Sequence, residues 1–413
     1  MRPADGDFVA GAPDSRSSEE HEDDSGSGSS GDDSGSESDE GEEDEDGSGS
    51  ELELALAEDG RVACPLLPHL NLDAFSAFPD AFSLDDEAGR RALLADCDEA
   101  FTARAATKEK GPYSSGRTYW LAADAEPRCA LEQIAKRVFD AHTRAPNAAL
   151  ASALGTDRPG FDLRRSGAEW WTQVVDAEDE IGMHWDKDYA LEAADVNVHP
   201  QIGTVTYFSS VGAPTLMARK RTKTFFRDSV AGAFDDLETD GASAFRGAKP
   251  KHASARAFLS FPAFGKHVAF DGRWLHGALP ELSQAPSGTK TETRKTPKRV
   301  TFLVNVWLNH VPSTATPLPK RALSRVAPIG AYVFERDLRE GSVESVDVAK
   351  TEGATRTIER AFAHAETTFS MRAALPEAWF AGGAPGRGGS FALVGTGGEV
   401  VKTRGSEKNK RKR

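Results

Sequence analysis

The sequence predicts a β-rich α+β protein whose core is a sandwich, barrel or jelly roll. Three observations carry this reading. From Glu169 onward the chain breaks into short runs dominated by Val, Thr, Phe, Tyr and Trp, the residues that suit a pleated, half-buried surface. Turn signals such as Val211-Gly212-Ala213-Pro214 separate the runs, as expected where successive strands pack into two layers. No Gly-rich phosphate loop opens a helix, which argues against a nucleotide-binding α/β domain.

The elements follow in order. Residues 1–60 hold 22 acidic residues against Arg2 and Arg16, a local balance of −20 that leaves about +5 of the total −15 for the rest of the chain. Such a segment buries too little apolar surface to offset its ordering entropy, so it reads as a disordered acidic N-terminal tail. It acts either as a solubiliser or as a dock for a basic partner. Residues 61–165 form a helical support region. Asp85–Ala106 and Ala130–His142 have helical spacing of apolar residues and brace a sheet. The core spans 166–345, with strand-like runs at 170–175, 203–210, 215–218, 257–261, 267–271 and 299–308. Polar stretches at 219–256 and 283–298 interrupt it. A C-terminal extension occupies 346–395, and a basic tail 396–413. There is no internal repeat.

Cys64, Cys97 and Cys129 are scattered, which fits neither a zinc knuckle nor a disulfide framework and suits a reducing compartment. No apolar run follows the first residues, and no stretch reaches the ~20 apolar residues of a membrane span. The expectation is an intracellular protein, cytoplasmic or nuclear, neither secreted nor membrane-bound. Lys408–Arg413 places five basic residues in six positions; it reads either as a nuclear address or as a solubilising tail.

The chemistry concentrates in Ile181-Gly-Met-His184-Trp185-Asp186-Lys-Asp188. On a strand, residues two apart share a face, so His184 and Asp186 aim an imidazole and a carboxylate at one point. Downstream, Phe270-Asp-Gly-Arg-Trp-Leu-His276-Gly brings a second histidine near a strand start. Two imidazoles and a carboxylate on one face of an octahedral ion leave three positions open, the arrangement of non-haem Fe(II) oxygenases. His267, nine residues earlier, is an alternative distal ligand. Asp188 shares a face with Asp186 and is a candidate to orient a ligand.

HWD at 184–186, FDGRWLHG at 270–277 and RVTFLVNVW at 299–307 resemble the metal triad and terminal strand of the 2-oxoglutarate- and Fe(II)-dependent oxygenases, most closely the prolyl-hydroxylase-like branch. The resemblance covers about 169–310. It implies a double-stranded β-helix (jelly-roll) core, with His184, Asp186 and His276 as metal ligands. It implies Fe(II) as the metal and 2-oxoglutarate and O₂ as co-substrates, and it admits ascorbate as an accessory. It also implies a basic residue for the far carboxylate of 2-oxoglutarate and a tyrosine against the same molecule. Arg299, which opens the terminal strand, and Tyr207 match those positions. The basic residue usually lies closer to the distal histidine than the 23 residues found here. An inserted loop accounts for the distance, and Arg294, Lys295 and Lys298 within or beside it are rivals to Arg299.

The resemblance implies a dioxygenase, an oxidoreductase with hydroxylation as its default outcome and a protein side chain as the first guess for substrate. Two other classes compete. A divalent-metal hydrolase could use the same three ligands plus water, and a non-catalytic β-rich binding module needs neither metal nor Arg299. Basic runs at 219–227, 246–256 and 290–299 fit an acidic partner or a plain solvated surface. A nucleic acid is among the partners such a surface admits, though no motif supports one.

Overall fold

The computed structural model describes residues 56, 60–62, 74–102, 116–144, 160–194, 196–219, 255–283, 297–335, 337–339, 343–350, 353–364, 367–380, 388–395 and 399–403. The acidic segment up to 55, the inserted loop with Arg294 and Lys295, the basic runs at 220–254 and the basic tail from 404 lie outside the described residues.

Two six-stranded sheets face each other. The first contains β1 (Phe75–Phe78), β3 (Tyr119–Ala122), β4 (Gly167–Asp176), β6 (Ile202–Tyr207), β9 (His267–Asp271) and β11 (Lys298–Trp307), in the spatial order β1-β9-β6-β11-β4-β3. The second contains β5 (Ile181–His184), β7 (Thr215–Ala218), β8 (Ala257–Ser260), β10 (Leu275–Ala278), β13 (Glu344–Asp347) and β16 (Ser390–Val394), in the order β13-β16-β8-β7-β10-β5. Neighbours are antiparallel except for β13 and β16, and a separate antiparallel ladder joins β2 (Phe82–Ser83) to β12 (Val333–Phe334). The protein is thus β-rich with few helices. The six runs read as strands from the sequence coincide with β4, β6, β7, β8, β9 and β11. The sheets also draw β1 and β3 from before residue 166 and β16 from after 345.

Two 14-residue helices sit outside the first sheet. The first, α1 (Glu87–Ala100), starts where the Asp86 side chain accepts a hydrogen bond from the Gly89 amide at 2.6 Å, a standard N-terminal cap. It ends earlier than its spacing suggests. Phe101 is extended, and Tyr119 of β3 donates its hydroxyl to the Ala100 carbonyl at 2.9 Å. The second, α2 (Ala130–Thr143), buries Leu131, Ile134, Val138 and Phe139 on one face.

Period-two alternation sorts every central strand into layers. On β11, Val300, Phe302, Val304 and Val306 pack outward against the helices, so Arg299, Thr301, Leu303, Asn305 and Trp307 face the other way. Leu303, Trp171, Val205, Phe270, Met217 and Phe258, from both sheets, form the cluster between them. The outer face of the second sheet, including Leu216 and Leu259, is covered by Ile358, Met371 and Leu375. These belong to the hairpin of β14 (Thr355–His364) and β15 (Thr367–Pro376). The hairpin covers this sheet from outside and adds nothing to the interior between the two sheets.

Candidate metal centre

His184 ends β5 and His276 lies in β10, and the two are partners across the antiparallel ladder. Their rings approach to 4.4 Å between centroids. Asp186 lies two residues beyond His184 on the same face. One oxygen stands 3.6 Å from His184 Nε2 and the other 3.5 Å from His276 Nε2. Among the described residues these three form a His/Asp/His group whose ligand atoms all lie within 4.8 Å of one another. Metal–ligand bonds of ~2.0–2.2 Å put neighbouring ligand atoms roughly 3 Å apart, so small side-chain rotations complete the site.

The imidazoles are prepared for that role. The Nδ1–H of His184 donates to the Gly182 carbonyl at 2.7 Å, and that of His276 to the Trp274 carbonyl at 3.0 Å. Each ring therefore turns its Nε2 lone pair towards Asp186, the orientation that metal-binding histidines require. Burial, opposed by the nearby Asp186 charge, pushes His276 down to about 4, so it is neutral near pH 7 and able to ligate. The segment after β5 is anchored by buried His199, whose Nδ1–H donates to the Asp186 carbonyl at 2.7 Å. Gly277 lets β5 approach, since a Cβ there would lie 2.8 Å from the Ile181 carbonyl oxygen. His184 is a third exposed while His276 is almost wholly covered, so the centre opens on the β5 side. Two imidazoles and one carboxylate with open positions fit a divalent first-row metal such as Fe(II).

A second polar layer lies one side-chain step away. Met217 pairs with His276 and Thr215 with Ala278, so Thr215 is about 7 Å along the sheet from the histidine level. Arg299 meets it there. Its guanidinium donates to Thr215 Oγ1 at 3.1 Å and to the Ala213 carbonyl at 3.0 Å, with the Tyr207 ring 5.8 Å away. The Tyr207 hydroxyl shares a hydrogen bond with Thr215 Oγ1 at 2.7 Å. Arg299 is only 2% exposed, and burial lowers its tendency to stay charged. Among the described residues no carboxylate lies within ion-pair distance of it. Gly212, at φ +96°, makes room: a Cβ there would lie 2.8 Å from that of Arg299. Lys266 caps the same layer. Its Nζ bonds the Phe261, Gly388 and Gly389 carbonyls, and burial pushes it down to about 7.

No family model and no curated protein matches this chain. Solved structures to which it is similar include AviO1 from Streptomyces viridochromogenes, at 15% identity and a TM-score of 0.24 over 62% of this chain and 96% of that one. EvdO2 from Micromonospora carbonacea, complexed with 2-oxoglutarate, follows at 15% and 0.25 over 60% and 91%. An oxidoreductase of the 2OG-Fe(II) oxygenase family from Burkholderia pseudomallei is similar at 12% and 0.26 over 63% and 100%.

The other residues singled out from sequence have definite places. Asp188 bonds none of the three ligand side chains. It accepts from His310 Nε2 at 2.9 Å and from the Ser313 amide and hydroxyl at 3.0 and 2.8 Å. Burial opposes its charge, but these bonds outweigh that and hold it below the usual carboxylate range. It therefore fixes the chain that leaves β11. His267 faces outward, hydrogen-bonded to Thr206 at 2.7 Å and to His142 of α2 at 2.9 Å, away from the three-ligand cluster. Lys298 is exposed and pairs with Asp176 at 2.9 Å.

Sequence reasoning missed Glu169 and Asn305. These are partners between β4 and β11, and they face the interior at the level of the metal ligands. The Glu169 carboxylate accepts from Trp307 Nε1 at 2.8 Å and Asn305 Nδ2 at 3.3 Å. The only available signal was a charged residue in an otherwise apolar run, Ala168-Glu-Trp-Trp171.

Proposed function

We propose that this protein is an Fe(II)- and 2-oxoglutarate-dependent dioxygenase, with a double-stranded β-helix core and a hydroxylation reaction. One observation carries the reading: the His184/Asp186/His276 cluster and a buried arginine with no acidic partner among the described residues lie in adjacent layers of one interior. A buried cation lacking a counter-ion is costly, and a ligand carboxylate removes the cost by a charge-assisted, bidentate pair with Arg299. A dicarboxylate reaching from that guanidinium to the ion would span the two layers, with Tyr207 and Thr215 against its far end. Two imidazoles and Asp186 would hold the iron on one face. Bound there with 2-oxoglutarate and O₂, it would supply oxidising power: one atom of O₂ would convert 2-oxoglutarate to succinate and CO₂, and the other would enter a substrate C–H bond. The protein holds the ligands, orients the dicarboxylate and excludes water. The first-guess substrate is a protein side chain.

A divalent-metal hydrolase would have no use for the unpaired Arg299. The test is release of labelled CO₂ from 1-¹⁴C-2-oxoglutarate by purified protein with Fe(II) and ascorbate. The expected result is release that EDTA abolishes. Absence of release at any Fe(II) concentration would leave the hydrolase or the silent module.

A further inference from the structure

The interior opposite the metal ligands carries a polar pair that the three-ligand centre does not use. Registers fix its place. In the first sheet, Glu169, Asn305, Gly203 and Phe270 form one row across β4, β11, β6 and β9. In the second sheet, His184, His276, Met217 and Phe258 form another across β5, β10, β7 and β8. The rows lie face to face. Phe270 meets His276 edge-on at 4.9 Å between centroids, and Phe75, the partner of Phe270, stacks on Phe258 at 4.7 Å. Glu169 and Asn305 continue the first row on the side where His184 and Asp186 continue the second. Gly203 leaves the space beside Asn305 to the Phe270 ring.

The pair is chemically incomplete. Asn305 is 3% exposed, and its Nδ2 is committed to Glu169, yet its Oδ1 is buried with no hydrogen-bond partner among the described residues. A buried acceptor left so costs free energy unless a donor arrives. Glu169 is 8% exposed, and no Lys, Arg or His among the described residues lies within ion-pair distance of it. The described residues supply it only neutral donors, from Thr118, Trp307 and Asn305. A carboxyl and an amide oxygen, both buried and side by side, ask for a group that only donates and carries positive charge. We propose that Glu169 and Asn305 form the recognition site for a primary ammonium group on the molecule the metal centre acts upon.

This rests on the reading of the centre as an oxidising site and narrows its substrate to an amine. Burial, together with the nearby charge of Asp186 and against hydrogen bonds from Thr118, Trp307 and Asn305, pushes Glu169 up to about 7. An arriving ammonium would return the carboxylate to its charged form.

The experiment is calorimetry on the full-length chain loaded with Mn(II), using n-butylammonium, n-butanol, Nα-acetyl-lysine methylamide and glucosamine as probes. Wild type should bind ammonium probes and not butanol, a comparison that needs no variant. Tighter binding of the lysine derivative points to a protein side chain, and of glucosamine to a small amine; either supports the site. Glu169→Gln, and separately Asn305→Leu, should weaken the ammonium probe roughly ten- to hundredfold. Failure of every ammonium probe to bind wild type, or equal binding by both folded variants, overturns the assignment. Titration of the same samples with 2-oxoglutarate keeps the two proposals apart. If 2-oxoglutarate fails to bind while the amine binds through Glu169, the oxygenase reading falls and the ammonium site stands.

Discussion

His184 and His276 stand opposite each other in the ladder between β5 and β10, and each gives its Nδ1–H to the carbonyl two residues before it. Two strands thus present two imidazoles, each held by its own strand's carbonyl, to one carboxylate, Asp186. Replacing either His184 or Asp186 by Ala should abolish tight Fe(II) binding and 2-oxoglutarate turnover while the chain stays folded. His184 is part-exposed and at the end of a strand, so its loss leaves little core void. Metal content after anaerobic loading, with circular dichroism as the folding control, checks this. Wild-type turnover in either variant would remove the metal centre from the mechanism.

Arg299→Ala should weaken 2-oxoglutarate binding far more than metal binding. Deleting one member of a buried charge-assisted pair costs on the order of 2–5 kcal/mol, roughly thirty- to several-thousand-fold in affinity. Lys298→Ala, its neighbour, removes an exposed pair with Asp176 and should change stability by about 1 kcal/mol at most. Calorimetric titration of both variants with 2-oxoglutarate decides which basic residue serves the ligand; a larger loss in the Lys298 variant would contradict Arg299.

Gly277→Ala should act through the backbone. The added methyl would meet the Ile181 carbonyl oxygen at 2.8 Å and push β5 away from β10, separating the two histidines. The expected cost is about 1–3 kcal/mol of stability together with weakened metal binding, read by denaturant unfolding and by metal titration. Unchanged metal affinity would mean that the β5–β10 spacing is not what sets the site.

Stability of the metal-free protein should fall as pH drops from about 6.5 towards 4. Burial pushes His142, His199 and His276 down to about 4, and His267 well below its ordinary value. Each is neutral when folded and takes up a proton on unfolding in that window, so acid favours the unfolded chain. Glu169, pushed up to about 7, works the other way, since the folded form holds the extra proton between about 4.5 and 7. Four groups against one leave a steepest slope of about three protons, on the order of 4 kcal/mol per pH unit. Urea unfolding in EDTA at a series of pH values measures it, and His142→Leu should flatten the curve. A stability that stays level from pH 7 to 5 would contradict the prediction.

Six of the strands between β4 and β11 and the grouping of His184 with Asp186 could be read from the sequence alone. The reason is local: residue types mark the strands, and extended backbone brings side chains two apart to one side. Which histidine completes the trio is a non-local matter. His267 and His276 are both buried on strands, and only register places one in the interior and the other against α2. Asp188 shows the limit of the local rule. Its strand ended at His184, so the expected shared face gave way to the chain after β11 at His310 and Ser313. Glu169 and Asn305 were invisible for the same physical reason: 136 residues separate them. Their partnership and, among the described residues, the unpaired Asn305 oxygen and the absence of an acid beside Arg299 are properties of what surrounds each group after two sheets close on each other. Composition and spacing specify strands and ligand types; tertiary packing alone decides which buried polar groups find partners and which await a ligand.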